Sequence, residues 1–124
     1  MPVPSSVDAV MLTKNSMKPC LKECLDSIYK NVPVNSLIAV DGGSTDGTLE
    51  LLKSYPRVKI IVDAKGNRAT SRQLGIEAVE TEWFVFLDSD VILCDKWFDY
   101  AKIYLKDPKV GAVWGAALQR SSSD

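Results

Sequence analysis

Apolar residues fall in short runs along this chain, and a polar stretch with helical spacing follows almost every run. Residues 7–12, apolar apart from Asp8, predict a first buried strand. Met17, Leu21, Cys24, Leu25 and Ile28 then recur at helical spacing, so residues 16–31 predict an amphipathic helix with Pro19 in its first turn. Residues 36–40 predict the second strand. Residues 45–55 predict the second helix, with Ser44 or Thr45 as N-cap and Pro56 as its stop. Residues 58–62 predict a third strand, and 67–80 a third helix carrying Leu74, Ile76, Ala78 and Val79. Residues 83–87 predict a fourth strand. Residues 95–106 predict a fourth helix, ended by Asp107 and Pro108, and 110–118 form a last strand-like run containing Trp114.

Strands alternating with helices imply crossover connections. The expected fold is α/β: a Rossmann-like three-layer α/β/α arrangement around a mostly parallel sheet. Ligands of such sheets bind beyond the carboxyl ends of the strands. The 124 residues suffice for one domain, expected over residues 1–124 with frayed ends at about 1–6 and 119–124. The chain stops just after a strand. Pairing with a second copy, as a homo-oligomer, is one way to cover an open sheet edge, with Trp114 as a candidate contact beside its commoner use in a core.

Bulk composition removes several functions. A net charge of −1 gives no electrostatic basis for binding nucleic acid. No apolar run approaches the ~20 residues that span a bilayer, and no leader pattern opens the chain. Three cysteines, an odd and sparse set, fit a reducing compartment, so the expected location is cytoplasmic. Membrane association would need a part of a longer parent. The absence of histidine excludes Ser-His and Cys-His nucleophiles. Chemistry must rest on carboxylates, cations or a bound metal.

Two acidic clusters stand at predicted strand ends. Asp88-Ser89-Asp90 follows the fourth strand, and alternation sends Asp88 and Asp90 to one side and Ser89 away. Such a pair can hold a divalent ion and, through it, a diphosphate; it can equally be turn and capping chemistry. Residues 41–48, Asp-Gly-Gly-Ser-Thr-Asp-Gly-Thr, follow the second strand. Asp41 could accept a hydrogen bond from a base N–H, while the rest reads as a tight loop opening a helix. A calcium loop is excluded, because Leu52 stands where a bidentate glutamate is required. Arg68 and Arg72, one helical turn apart, could meet an anion or a base carbonyl, or simply be solvated. Thr13, at the end of the first strand, could touch a ligand or cap a turn.

In that order, Thr13-Lys14-Asn15, the Val40–Thr48 block, the arginine-bearing helix start and Phe86-Leu87-Asp88-Ser89-Asp90 resemble the nucleotide-sugar half of inverting family 2 glycosyltransferases of the glycosyltransferase-A fold. The resemblance covers residues 7–118. It implies a UDP- or GDP-sugar donor, Mg²⁺ or Mn²⁺, and an unknown acceptor that is a glycan, lipid or protein. It puts Thr13 in the base pocket, Asp41 on the base, Arg68 or Arg72 on base or phosphates, Asp88 near ribose or sugar and metal, and Asp90 on the metal. Two departures stand out. Gly42 occupies the place where the family often carries a second acid, and no counterpart of the family's catalytic base is evident. The resemblance therefore implies a donor site rather than a whole enzyme. The alternatives are a non-catalytic nucleotide-binding or assembly module on the same fold, and an Asp-nucleophile phosphatase. Ile92 argues against the latter, because a Thr or Val commonly holds that place.

Overall fold

The computed structural model describes residues 5–105. The expected strand at 110–118, Trp114 and the end of the last helix lie outside the described residues. Within them, four strands and four helices alternate: β1 (Val7–Thr13), α1 (Leu21–Asn31), β2 (Val34–Asp41), α2 (Thr48–Lys53), β3 (Val58–Val62), α3 (Arg68–Glu77), β4 (Phe84–Phe86) and α4 (Trp97–Tyr104). All pairings are parallel, in the order β3-β2-β1-β4. Every strand therefore delivers its carboxyl end to the same rim.

Strand alternation divides the core between two faces. Val7, Ala9 and Met11 point to one side, against Leu21, Cys24, Leu25 and Ile28 of α1, with Leu52, Trp97 and Phe98 completing that layer. Val10, Ile38 and Val40 point to the other side and meet Leu74, Ala78 and Val79 at α3. This is the three-layer arrangement that the sequence pattern predicts. Gly75 sets how closely α3 lies on the sheet, since a Cβ there would stand 2.5 Å from Val10 Cγ1. Gly75→Val is expected to destabilise the fold by roughly 2–3 kcal/mol through overpacking, read from urea denaturation.

Two helices start later than the sequence pattern predicts, and hydrogen bonds explain both delays. α1 begins at Leu21 rather than residue 16, after a cis Lys18–Pro19 peptide. The Ser16 N–H donates to Thr48 Oγ1 and the Met17 N–H to Asp46 Oδ2, which ties this segment to the loop after β2. α2 begins at Thr48, with Gly47 as N-cap in a left-handed conformation (φ 98°). Ser44 and Thr45 do not cap it: the Ser44 hydroxyl goes to Asp41, and the Thr45 N–H goes to Asn15 Oδ1. α3 keeps its expected start. Asn67 caps it by accepting from the Thr70 N–H at 3.0 Å, while Thr70 accepts from the Asn67 N–H at 2.8 Å. No helix among the described residues is long and apolar enough to cross a membrane.

Candidate functional site

A cavity of about 670 Å³ opens at the carboxyl rim of the sheet, a volume typical of small-molecule sites. Each strand end and the start of α3 contribute to its wall. β1 supplies Thr13, Lys14 and Asn15; β2 supplies Gly42; β3 supplies Asp63 and Ala64. The start of α3 supplies Asn67, Arg68, Ser71 and Arg72, and the chain beyond β4 supplies Asp88, Ser89 and Asp90. Three carboxylates (Asp63, Asp88, Asp90) and four cations (Lys14, Lys18, Arg68, Arg72) thus face one space. That charge pattern suits a polyanion accompanied by a divalent cation.

Asp88 and Asp90 both line this cavity, though strand alternation does not put them there. β4 ends at Phe86, the chain turns at Ser89-Asp90, and Ser89 also lines the cavity rather than pointing away. Both carboxylates are exposed and make no ion pair among the described residues, so their oxygens are free for a ligand. Their backbone is gripped from α1. The Cys24 thiol donates to the Asp88 carbonyl at 3.4 Å, and the Cys20 thiol to the Asp90 carbonyl at 3.6 Å. Burial pushes the Cys24 thiol up to about 12, so it stays protonated and a donor. Among the described residues no three Cys, Asp or Glu side chains cluster as a ready-made metal cage. Asp88 and Asp90 are the carboxylates that would hold a divalent ion such as Mg²⁺ or Mn²⁺.

Arg68 and Arg72 both line the cavity. The Arg72 guanidinium lies 5.9 Å from the centre of the exposed Phe86 ring, which steadies it at the wall. Thr13 contributes to the wall too, but its side chain is buried and its hydroxyl donates to Asp41 Oδ1 at 2.7 Å.

Asp41 is placed differently from the expectation. Its carboxylate is fully buried beneath the loop and does not line the cavity. Oδ1 accepts from the Thr13 and Ser44 hydroxyls at 2.7 and 2.6 Å, and Oδ2 from the Gly43 and Ser44 N–H groups at 2.9 and 2.7 Å. Burial alone would raise this acid, but the bonds from Ser44, Thr13 and Gly43 outweigh it and hold the group below the usual carboxylate range. With four donors already bound, Asp41 builds the loop and has no free lone pair aimed at a ligand. The acid that does face the cavity at this end is Asp63, one residue beyond β3. Its Oδ2 accepts from Ser71 at 2.9 Å and Thr70 at 3.2 Å, while Oδ1 accepts no hydrogen bond among the described residues. Gly66 makes room for it: a Cβ there would fall 1.9 Å from Asp63 Oδ2. The rule that selected the ends of β2 and β4 applies equally to β3 and points to Asp63.

An α/β domain with parallel strands in this order, their carboxyl ends opening on one cavity, has the layout of the glycosyltransferase-A fold. The mannosyltransferase PcManGT from Pyrobaculum calidifontis, solved with GDP-Man and Mn²⁺, superposes with a TM-score of 0.73 at 23% identity, over 86% of this chain and 34% of that one. S. aureus TarS residues 1–349 superpose with a TM-score of 0.68 at 24% identity, over 80% and 32%. The model for glycosyl transferase family 2 matches residues 8–124, and the chain belongs to that family. Among its relatives are the glycosyltransferase EpsJ of Bacillus subtilis (23% identity, 94% of this chain and 35% of that protein) and the O-antigen chain rhamnosyltransferase RfbN of Salmonella typhimurium (30%, 81% and 33%). The chain spans about a third of the length of such relatives.

Proposed function

We propose that this chain forms the donor site of a glycosyltransferase that takes a nucleoside-diphosphate sugar, with Mg²⁺ or Mn²⁺, and passes the sugar with inversion to a hydroxyl of a glycan, lipid or protein. The observation that carries this reading is the pairing of two free carboxylates, Asp88 and Asp90, with two arginines, Arg68 and Arg72, around one cavity at the strand ends. Asp90 would hold the ion, with Asp88 as its second contact or on the ribose. The bound ion would offset charge on the diphosphate as the bond to the sugar breaks. Arg68 and Arg72 orient the diphosphate, and Arg72 is pre-set by its stacking on Phe86. The β1–β3 end of the rim takes the base, with Thr13 in its wall and Asp63 Oδ1 as acceptor for a base N–H. Asp41 serves this site from below, by fixing the loop. No described residue is assigned as the base that takes the acceptor's proton. The neighbour solved with GDP-Man and Mn²⁺ supports both the donor class and the ion.

Calorimetric titration with UDP, GDP, CDP and ADP, with and without Mn²⁺, tests this. The expected result is binding of at least one nucleotide that requires the ion. Asp63→Ala should then weaken that nucleotide roughly tenfold, the usual scale for losing a hydrogen bond to a charged group. Failure of every nucleotide to bind, with or without Mn²⁺, would refute the donor-site reading.

A further inference from the structure

Asp88 and Asp90 belong to a segment, residues 87–96, that forms neither helix nor strand. Backbone groups there have no ladder of their own to join and must find partners elsewhere. Four of those partners lie on α1. The Cys24 thiol donates to the Asp88 carbonyl at 3.4 Å and the Cys20 thiol to the Asp90 carbonyl at 3.6 Å. Ser27 Oγ accepts from the Leu93 N–H at 3.0 Å, and Asn31 Oδ1 accepts from the Lys96 N–H at 3.0 Å.

Residues 20, 24, 27 and 31 recur at the spacing of one helix face, so the four side chains form a single polar stripe. The stripe is bonded along its own length. The Ser27 hydroxyl donates to the Cys24 carbonyl at 2.8 Å, and Asn31 Nδ2 donates to the Ser27 carbonyl at 2.9 Å. Cys20 holds the N-cap place, where a polar side chain usually turns back onto its own helix; its thiol caps nothing and goes to Asp90 instead. The segment therefore reaches back one helical turn between residues 88 and 90, then runs down α1 to residue 96. Leu87 and Leu93, both buried in the same core layer as Cys24, pin it on either side of the exposed acids.

We infer that this stripe is the positioning device of the ion site: Cys20 and Cys24 fix where Asp88 and Asp90 stand, and Ser27 and Asn31 hold the limb that follows. An irregular segment left loose would have to be ordered when an ion binds, and that entropy would be subtracted from the ion's affinity. Bonds from a packed helix order it during folding instead. The device acts on the ion and not on the rest of the ligand, since Arg68, Arg72 and Asp63 stand on or before α3 and make no bond to α1 among those found. The inference rests on the donor-site reading and adds to it how the ion's ligands are held.

The test is the Mn²⁺ midpoint for binding the tightest of UDP, GDP, CDP and ADP, measured by calorimetry, with the paramagnetic resonance spectrum of the bound Mn²⁺. It compares wild type, Cys20→Ala, the double variant Cys20→Ala/Cys24→Ala, and Val34→Ala. The last trims the core at the start of β2, at the opposite end of the sheet, and serves as a control for lost stability. Each thiol bond is weak, so Cys20→Ala should raise the midpoint about threefold and the double variant about tenfold, the low end for groups that hold a metal's ligands. The resonance lines should broaden in both, because acids held less uniformly give a spread of coordination. Val34→Ala should melt earlier yet keep the wild-type midpoint and line width. Cys20 is only half-buried, so Cys20→Ala carries the test if the double variant does not fold. An unchanged midpoint in the thiol variants overturns the inference, and so does an equal shift in Val34→Ala, which would make the stripe merely structural. If wild type binds a nucleotide without regard to Mn²⁺, the inference falls while the nucleotide site stands; if it binds none of the four, the donor-site reading falls and this inference with it.

Discussion

Asp90→Asn is expected to abolish the Mn²⁺ dependence of nucleotide binding, since an ion at a diphosphate supplies several kcal/mol of charge stabilisation. The change keeps the size of the side chain and removes its charge. Asp90 is exposed and its carboxylate makes no ion pair among the described residues. Its contribution to the loop is its backbone carbonyl, which accepts from the Cys20 thiol and is untouched by the substitution. The melting temperature without metal should therefore match wild type. Titrating Mn²⁺ against a fixed nucleotide separates the possibilities. If Asp90→Asn still binds nucleotide more tightly as Mn²⁺ rises, with wild-type midpoint, Asp90 is not a ligand of the ion. Asp88→Asn should show a smaller loss if its main contact is the ribose, and an equal one if both acids hold the ion.

The elements were legible in the sequence because they rest on local pattern. β3 begins and ends where the apolar run 58–62 does, and α3 starts at the Asn67 cap. The starts of α1 and α2 were not legible. They depend on bonds between segments 29 to 32 positions apart, such as Met17 to Asp46 and Ser16 to Thr48, which no window along the chain contains. The site was legible in the same measure. Acids at strand ends could be found from the order of apolar runs, which located Asp88 and Asp90. Whether an acid turns outward is a separate question, decided by nearby donors. Asp41 is followed by Gly43 and Ser44, whose N–H groups curl back onto its carboxylate and draw it inward. Asp63 has no such close partner. Its anchor, Ser71, comes from the next helix, eight residues on, and leaves Oδ1 without a hydrogen bond among the described residues. The same residue type at two neighbouring strand ends thus takes two different jobs.

That division of labour gives Asp41 substitutions a distinctive outcome. Asp41→Ala is expected to cost roughly 3–5 kcal/mol of stability, because it leaves four donors without their acceptor in a buried place. Against a typical total of ~5–15 kcal/mol, this is a large fraction. Asp41→Asn should fare little better, since its amide would turn donors toward donors. The pH profile follows from the sign of the shift. Asp41 is held below the ordinary carboxylate range, and so is Asp8, where bonds from Glu80, Asn35 and Ser36 outweigh the effect of burial. Stability from these groups is fully present above the unfolded value of about 3.9 and is lost as pH falls through the folded value. Wild type should therefore lose stability steeply with acid, and Asp41→Asn should show a shallower slope from a lower starting point. Urea denaturation at stepped pH measures both. Base preference among the Asp41 variants that still fold should match wild type, whereas Asp63→Ala should alter it. A variant of Asp41 with native stability and a changed base preference would reverse the two roles, and would mean that the buried carboxylate leaves its four donors to meet the ligand.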